Sequence, residues 1–284
     1  MCIAFWTANT AGYDLALSFN RDEYYSRPTV GFHHWPSNPS IFAPQDLQPH
    51  NPDQRGSWIG TSKGRLALLT NFREPVFHHD NRISRGALIR NYLLDPPMTP
   101  GGQPLTNPAG GVAQEYAQLI YEERAKYDGF NLVLFDFAER PVRAVYVSNR
   151  SDQAVKDLEP SVVYGLSNSL LDNPWPKVTR GQQMFPEALQ VGGSDDDVIA
   201  RLMSVMRDEG DLQEGSLPHK IEDLKDRIFV PKVDDGLCGS MASGDYGTRT
   251  TDVILLRGDV LTVAERNYDI DSSDGNVQIS RVEV

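Results

Sequence analysis

Two apolar runs open the chain, residues 2–8 and 13–19, with Cys2 at the start of the first and Asn20, Arg21, Asp22 and Glu23 closing the second. Asn9, Thr10, Ala11 and Gly12 separate the runs, the composition of a turn, so the stretch reads as a β-hairpin. Tyr13, Leu15, Leu17 and Phe19 alternate with Asp14, Ala16 and Ser18, the period of two of a strand with one buried face. A hairpin brings the chain back to its beginning, which sets Asn20 to Glu23 beside Cys2. Methionine ahead of a small residue is usually removed after synthesis, and its loss makes Cys2 the first residue. Thiol and free α-amine then share one carbon. With reference pKa values of about 7.7 to 8.0 for the amine and about 8.5 for the thiol, the amine serves as base for the thiol without a histidine. Arg21 nearby favours the thiolate, and Asp22 is placed to orient the amine. The simpler alternative is that Cys2 is a small buried apolar residue and the charges end a strand.

Further short motifs follow in order: Arg27-Pro28-Thr29, Thr70-Asn71-Phe72-Arg73, Ser84-Arg85-Gly86, Asn131-Leu132, Tyr164-Gly165-Leu166-Ser167-Asn168 and Gly247-Thr248-Arg249-Thr250-Thr251. Together with Asn20-Arg21-Asp22-Glu23 behind an N-terminal Met-Cys hairpin, they resemble the NRDE family, also called the transport and Golgi organisation 2 family, over nearly the whole chain. That family is related to the N-terminal nucleophile hydrolases, so the resemblance implies an α+β fold, a four-layer αββα sandwich of mainly antiparallel sheets. It also implies the handling of haem or of acyl-CoA and other lipid-like ligands, with a role in secretion and Golgi organisation and an association with the Golgi or mitochondria. Carried over to these positions, Cys2 is the nucleophile and Asp22 holds its amine. Asn71 and Asn168 resemble oxyanion-hole asparagines, and Arg249 the late arginine near the nucleophile. Asn20, Arg21, Asp22, Glu23 and Arg73 become ligand-binding positions. The function so implied is the handling of such ligands on a hydrolase scaffold; the alternative is hydrolysis of an amide or thioester through an acyl-cysteine. One departure stands out. The bile-salt-hydrolase branch has the order Arg-Asn-x-Asp, whereas here arginine follows asparagine, and alternation puts Arg21 on the strand face opposite Asn20 and Asp22.

The bulk properties fit one domain across residues 1–284. With 284 residues and 39% hydrophobic content the core need not depend on disulfides. The two cysteines, Cys2 and Cys238, lie far apart without CxxC spacing, as expected in a reducing compartment and against a structural zinc site. No stretch approaches the roughly 20 apolar residues of a membrane span, and no basic leader precedes an apolar run, so a cytoplasmic protein is expected. A net charge of −12, spread along the chain, disfavours nucleic acid and anionic membranes as partners. A small-molecule or lipid-like ligand is expected, with no required cofactor, haem as a carried ligand and protein partners left open.

The remaining elements must position these residues. Residues 33–54 carry Pro36, Pro39, Pro44, Pro49 and Pro52 and read as a long loop or lid. His33, His34 and His50 lie in it, and solvated histidines explain them as well as metal or haem ligation does. A second hairpin, 57–61 and 66–72, ends at Asn71 and Arg73, where Asn71 either presents an amide or forms a turn. Helices are expected at 87–94, 112–126, 176–185 and 198–206, the last behind the capping run Asp195-Asp196-Asp197. Strands are expected at 130–137, 142–148, 162–166, 248–256, 260–266 and 277–282. The glycine-rich stretch 234–247 lacks the order of a nucleotide loop.

Overall fold

The computed structural model describes all residues except 11, 75–81, 107–110, 139, 191–192, 211–217, 219–220, 234–243 and 269–275. Cys238 and most of the glycine-rich stretch therefore lie outside the described residues. Among the described residues the chain is α+β, with two antiparallel sheets and four α-helices, in the class that the family resemblance implies. It divides into two compact units, one of Met1–Arg27 with Ser161–Glu283 and one of Pro28–Pro160.

The first unit is built on the N-terminal hairpin. Strands β1 (Cys2–Thr10) and β2 (Tyr13–Tyr24) pair in antiparallel register, with Cys2 opposite Arg21 and Ile3 opposite Asn20. The turn suits its residues, since Asn9 and Gly12 both hold positive φ, which asparagine and glycine tolerate best. The short β10 (Tyr164–Leu166) flanks β1, while β11 (Tyr246–Arg257), β12 (Val260–Asn267) and β13 (Val277–Glu283) extend the sheet beyond β2. Helices α3 (Pro176–Gln190) and α4 (Asp195–Val205) cover one face. Ile3, Phe5, Val253, Leu255 and Ala264 from the strands meet Val178, Phe185, Ile199, Leu202 and Met203 from the helices. The alternation in β2 suggested one buried face, yet both faces are buried, because Ala16 and Ser18 are small enough to pack where larger polar residues could not.

Two expectations for these helices meet different outcomes. The acidic run does open α4: Ser194 and Asp197 form a reciprocal capping box. By contrast α3 continues past Phe185 and takes Pro186 into its interior. Proline removes one hydrogen bond from a helix, and burial of Ala188 and Leu189 beyond it offsets that loss.

The second unit carries the seven-stranded sheet β3-β4-β5-β6-β7-β8-β9, all neighbours antiparallel. Strands β5 (Ile59–Ser62) and β6 (Arg65–Asn71) form the expected hairpin about Lys63 and Gly64, both at positive φ as a two-residue primed turn requires. Strands β7 (Phe130–Asp136), β8 (Arg143–Ser148) and β9 (Lys156–Asp157) complete that side. Asn131 within the apolar β7 donates to Thr70 Oγ1 and accepts from the Tyr146 hydroxyl at 2.8 Å, which meets its burial. Helices α1 (Gly86–Leu93) and α2 (Val112–Glu122) bury Leu88, Tyr92, Tyr116 and Ile120 against the sheet.

The proline-rich stretch 33–54 is not one long loop. Its greater part is a hairpin of β3 (Thr29–Trp35) and β4 (Asn38–Asp46). The prolines survive there because the ladder breaks around them. Register jumps between Val30 and His33, opposite Pro44, and between His34 and Trp35, opposite the span that holds Pro39. Nδ1 of His33 bonds the Gly31 carbonyl and Nδ1 of His34 the Pro39 carbonyl, so one nitrogen of each ring serves its own hairpin.

Candidate active site

In an antiparallel pair, directly opposed residues project to the same face. Arg21, opposed to Cys2, is therefore the charged residue beside the thiol, while Asn20 and Asp22 turn to the other face. Cys2 is buried, as is Arg21. An ion pair at 3.6 Å links Arg21 to Glu23, and Arg27 approaches the same carboxylate at 3.9 Å.

The main chain of Cys2 is held on both sides. Its N–H donates to Asn168 Oδ1 at 3.1 Å, and its carbonyl accepts from the Ser167 hydroxyl at 2.7 Å. Ser167 also donates to Asn168 Oδ1 at 3.2 Å. Both partners follow directly on β10, which pairs Leu166 with Ala4, so the strand pairing itself delivers them to Cys2. One residue earlier, the Met1 amine donates to the Asp22 carbonyl at 2.7 Å and to the Tyr246 hydroxyl, and the Asp22 N–H returns a bond to the Met1 carbonyl.

Asp22 and Asn20 are anchored away from the thiol. Thr248 Oγ1 donates to Asp22 Oδ1 at 2.7 Å and accepts from the Val230 N–H. Asn20 Nδ2 donates to the carbonyls of Met206 and Ile228, and its Oδ1 accepts from Thr251 Oγ1 at 2.6 Å. Asn20 thus ties β2 to the C-terminal end of α4.

Burial dominates the electrostatics. It pushes the Cys2 thiol up; the chain-terminal ammonium and Arg21 pull it down, while Asp22 and Glu23 push the same way as burial. It also raises the Asp22 carboxyl against the pull of the terminal ammonium, of Lys177 and of the Thr248 hydrogen bond. Arg21 is lowered by burial and partly restored by Glu23 and Cys2.

Cys2, Asn20, Arg21, Asp22, Glu23 and Asn168 thus come together in the first unit. Arg249 belongs to the same unit and occupies a bulge, since Thr248 opposes Asp22 and Thr250 opposes Arg21. Its guanidinium donates to the carbonyls of Tyr24 and Arg27 and lies over the Tyr25 ring, closing the end of β2. Asn71, the last residue of β6, and Arg73 just beyond it belong to the second unit. Ser167, Thr248, Tyr246 and Lys177 were missed as site residues. Lys177 had a signal: it stands four residues before the buried Gly181, on the edge of the stripe Val178, Gly181, Phe185, Ala188. Among the described residues no three of His, Cys, Asp and Glu gather as a metal site, and no helix is long and apolar enough to cross a membrane.

Comparison with known proteins adds four likenesses. Residues 1–269 match the family model described as transport and Golgi organisation 2. The transport and Golgi organization protein 2 homolog of Bos taurus is 32% identical over 94% of this chain and 93% of its own length. The Drosophila melanogaster transport and Golgi organization protein 2 is 28% identical over 90% of this chain and 88% of its own. Among solved structures, a Caenorhabditis elegans N-acylethanolamine-hydrolyzing acid amidase ortholog aligns with a TM-score of 0.39 at 9% identity, over 89% of this chain and 92% of that one.

Proposed function

The chain belongs to the transport and Golgi organisation 2 family, and from that premise we propose that Cys2 acts as an N-terminal nucleophile that hydrolyses an amide or thioester bond of a lipid-like acyl ligand. One observation carries this reading: the nitrogen of Cys2 is held by Asn168 at 3.1 Å. Removal of Met1 turns that held amide into a held amine on the carbon that bears the thiol side chain. The neutral amine takes the thiol proton, and the thiolate attacks the acyl carbon. Arg21, opposed to Cys2, supports the thiolate charge. As the acyl bond breaks, the leaving amine or thiol takes its proton from the Cys2 ammonium. Water, deprotonated by the same amine, then attacks the acyl-cysteine and releases the carboxylic acid.

With Met1 in place burial keeps the thiol protonated, and this favours a second reading, a carrier that holds acyl-CoA or haem without turnover. In either case the ligand work supports secretion and Golgi organisation from the cytoplasm. The test is an acyl-amide and acyl-CoA hydrolysis panel on protein of known N-terminal mass, beside Cys2→Ala. Turnover lost in Cys2→Ala with the fold intact supports hydrolysis. Equal turnover in both, or Met1 retained on every molecule from native cells, overturns it; saturable binding of acyl-CoA or haem to Cys2→Ala then supports the carrier.

A further inference from the structure

Lys177, in the first turn of α3, is wholly buried, and among the described residues its Nζ has no hydrogen-bond partner. It lies 5.7 Å from the centre of the Trp175 ring. Three costs meet at this side chain. A buried ammonium loses its hydration, an unbonded one loses its donors' partners, and a cation at a helix N-terminus opposes the helix dipole. A lysine kept at such a place needs an anion nearby. Asp22 provides one: its Oδ1 is bonded to Thr248, while its Oδ2 is buried and has no hydrogen-bond partner among the described residues. The helix is fixed against the strand that carries Cys2, because Gly165 and Gly181 leave no room for even a methyl group beside Phe5 and its neighbours.

The charged groups around this pair come from every element packed on it. Lys177 faces Asp22 from β2, Cys2 from β1, Arg180 on its own helix and Asp226; burial lowers it, and Asp22 foremost pulls it back up. The charges that act on the thiol are, in order of effect, the chain-terminal ammonium, Asp22, Arg21 and Glu23. Left alone, the Asp22 carboxylate would hold the proton on the thiol.

We propose that Lys177 is a positioning residue of the Cys2 site, a buried cation that balances the Asp22 carboxylate and so allows the thiol to ionise. The proposal rests on the reading of Cys2 as nucleophile, and its test does not depend on finding a substrate. Iodoacetamide alkylation of the Cys2 peptide, followed by mass spectrometry across pH, reports the thiol midpoint directly. In Lys177→Met, shown to be folded by circular dichroism, the midpoint is expected to rise by about one pH unit, the lower end of what a nearby charge exerts. Asp22→Asn is expected to lower it, and Asp22→Asn with Lys177→Met to stand above Asp22→Asn by a similar amount. An unchanged midpoint in folded Lys177→Met overturns the proposal. Should that variant fail to fold, a double variant no different from Asp22→Asn overturns it equally. A shifted midpoint without hydrolysis of any substrate would remove the proposed reaction and leave this charge balance standing.

Discussion

Asn20 heads the charged motif, and its geometry makes it a clamp whose removal can be weighed. Its side chain makes three hydrogen bonds, to the Met206 and Ile228 carbonyls and from Thr251 Oγ1, all among residues with no exposed surface. Asn20→Ala would leave the hydroxyl a second contact, the Tyr268 hydroxyl at 3.2 Å, but would strip both carbonyls of this donor. A buried polar group left unsatisfied costs about 1–3 kcal/mol, so the two together cost about 4 kcal/mol. The Met206 carbonyl lies at the C-terminal end of α4, among groups that the helix itself does not bond. Typical domains hold only about 5–15 kcal/mol in total, so the loss would be conspicuous. Urea unfolding followed by circular dichroism, with the slope checked for constancy, measures it as a fall in midpoint. A loss below about 1 kcal/mol would refute the clamp. Full stability with loss of ligand or turnover would instead make Asn20 a ligand contact.

Two other substitutions have outcomes set by the structure. Asp252 opposes Glu265 across β11 and β12, both buried, and burial with that neighbour raises the Asp252 carboxyl well above its ordinary range. A carboxyl raised on folding contributes its stability at low pH and loses it as pH rises through the folded value. Asp252→Asn should therefore raise Tm more at pH 8 than at pH 4; an equal change at both would contradict the raised carboxyl. Gly181→Ala should destabilise even though alanine favours helix by about 1 kcal/mol, because the new Cβ would lie within 2.7 Å of three atoms of the buried Phe5 ring. Overpacking of this kind costs about 1–3 kcal/mol, and a rise in thermal stability would show that α3 can move away from β1 at little cost.

Local pattern carried much of this protein. The period of two placed the first hairpin and with it the approach of Cys2 to Arg21 and Asp22, and most later strands and helices lay close to where their residues put them. The capping residues Ser194 and Asp197 marked α4 for the same reason, since both ends of that interaction lie within one turn. Proline content misled at 33–54, where bulges that depend on the partner strand make room for Pro39 and Pro44. What only the tertiary structure decided are the partners far apart in sequence. Asn168 reaches the Cys2 nitrogen through the pairing of β10 with β1, Asn20 reaches α4, and Lys177 is driven into the interior. No periodicity encodes such meetings: alternation fixes the face a side chain takes, while its partner is chosen by which distant strand or helix packs there and which buried polar groups must be satisfied.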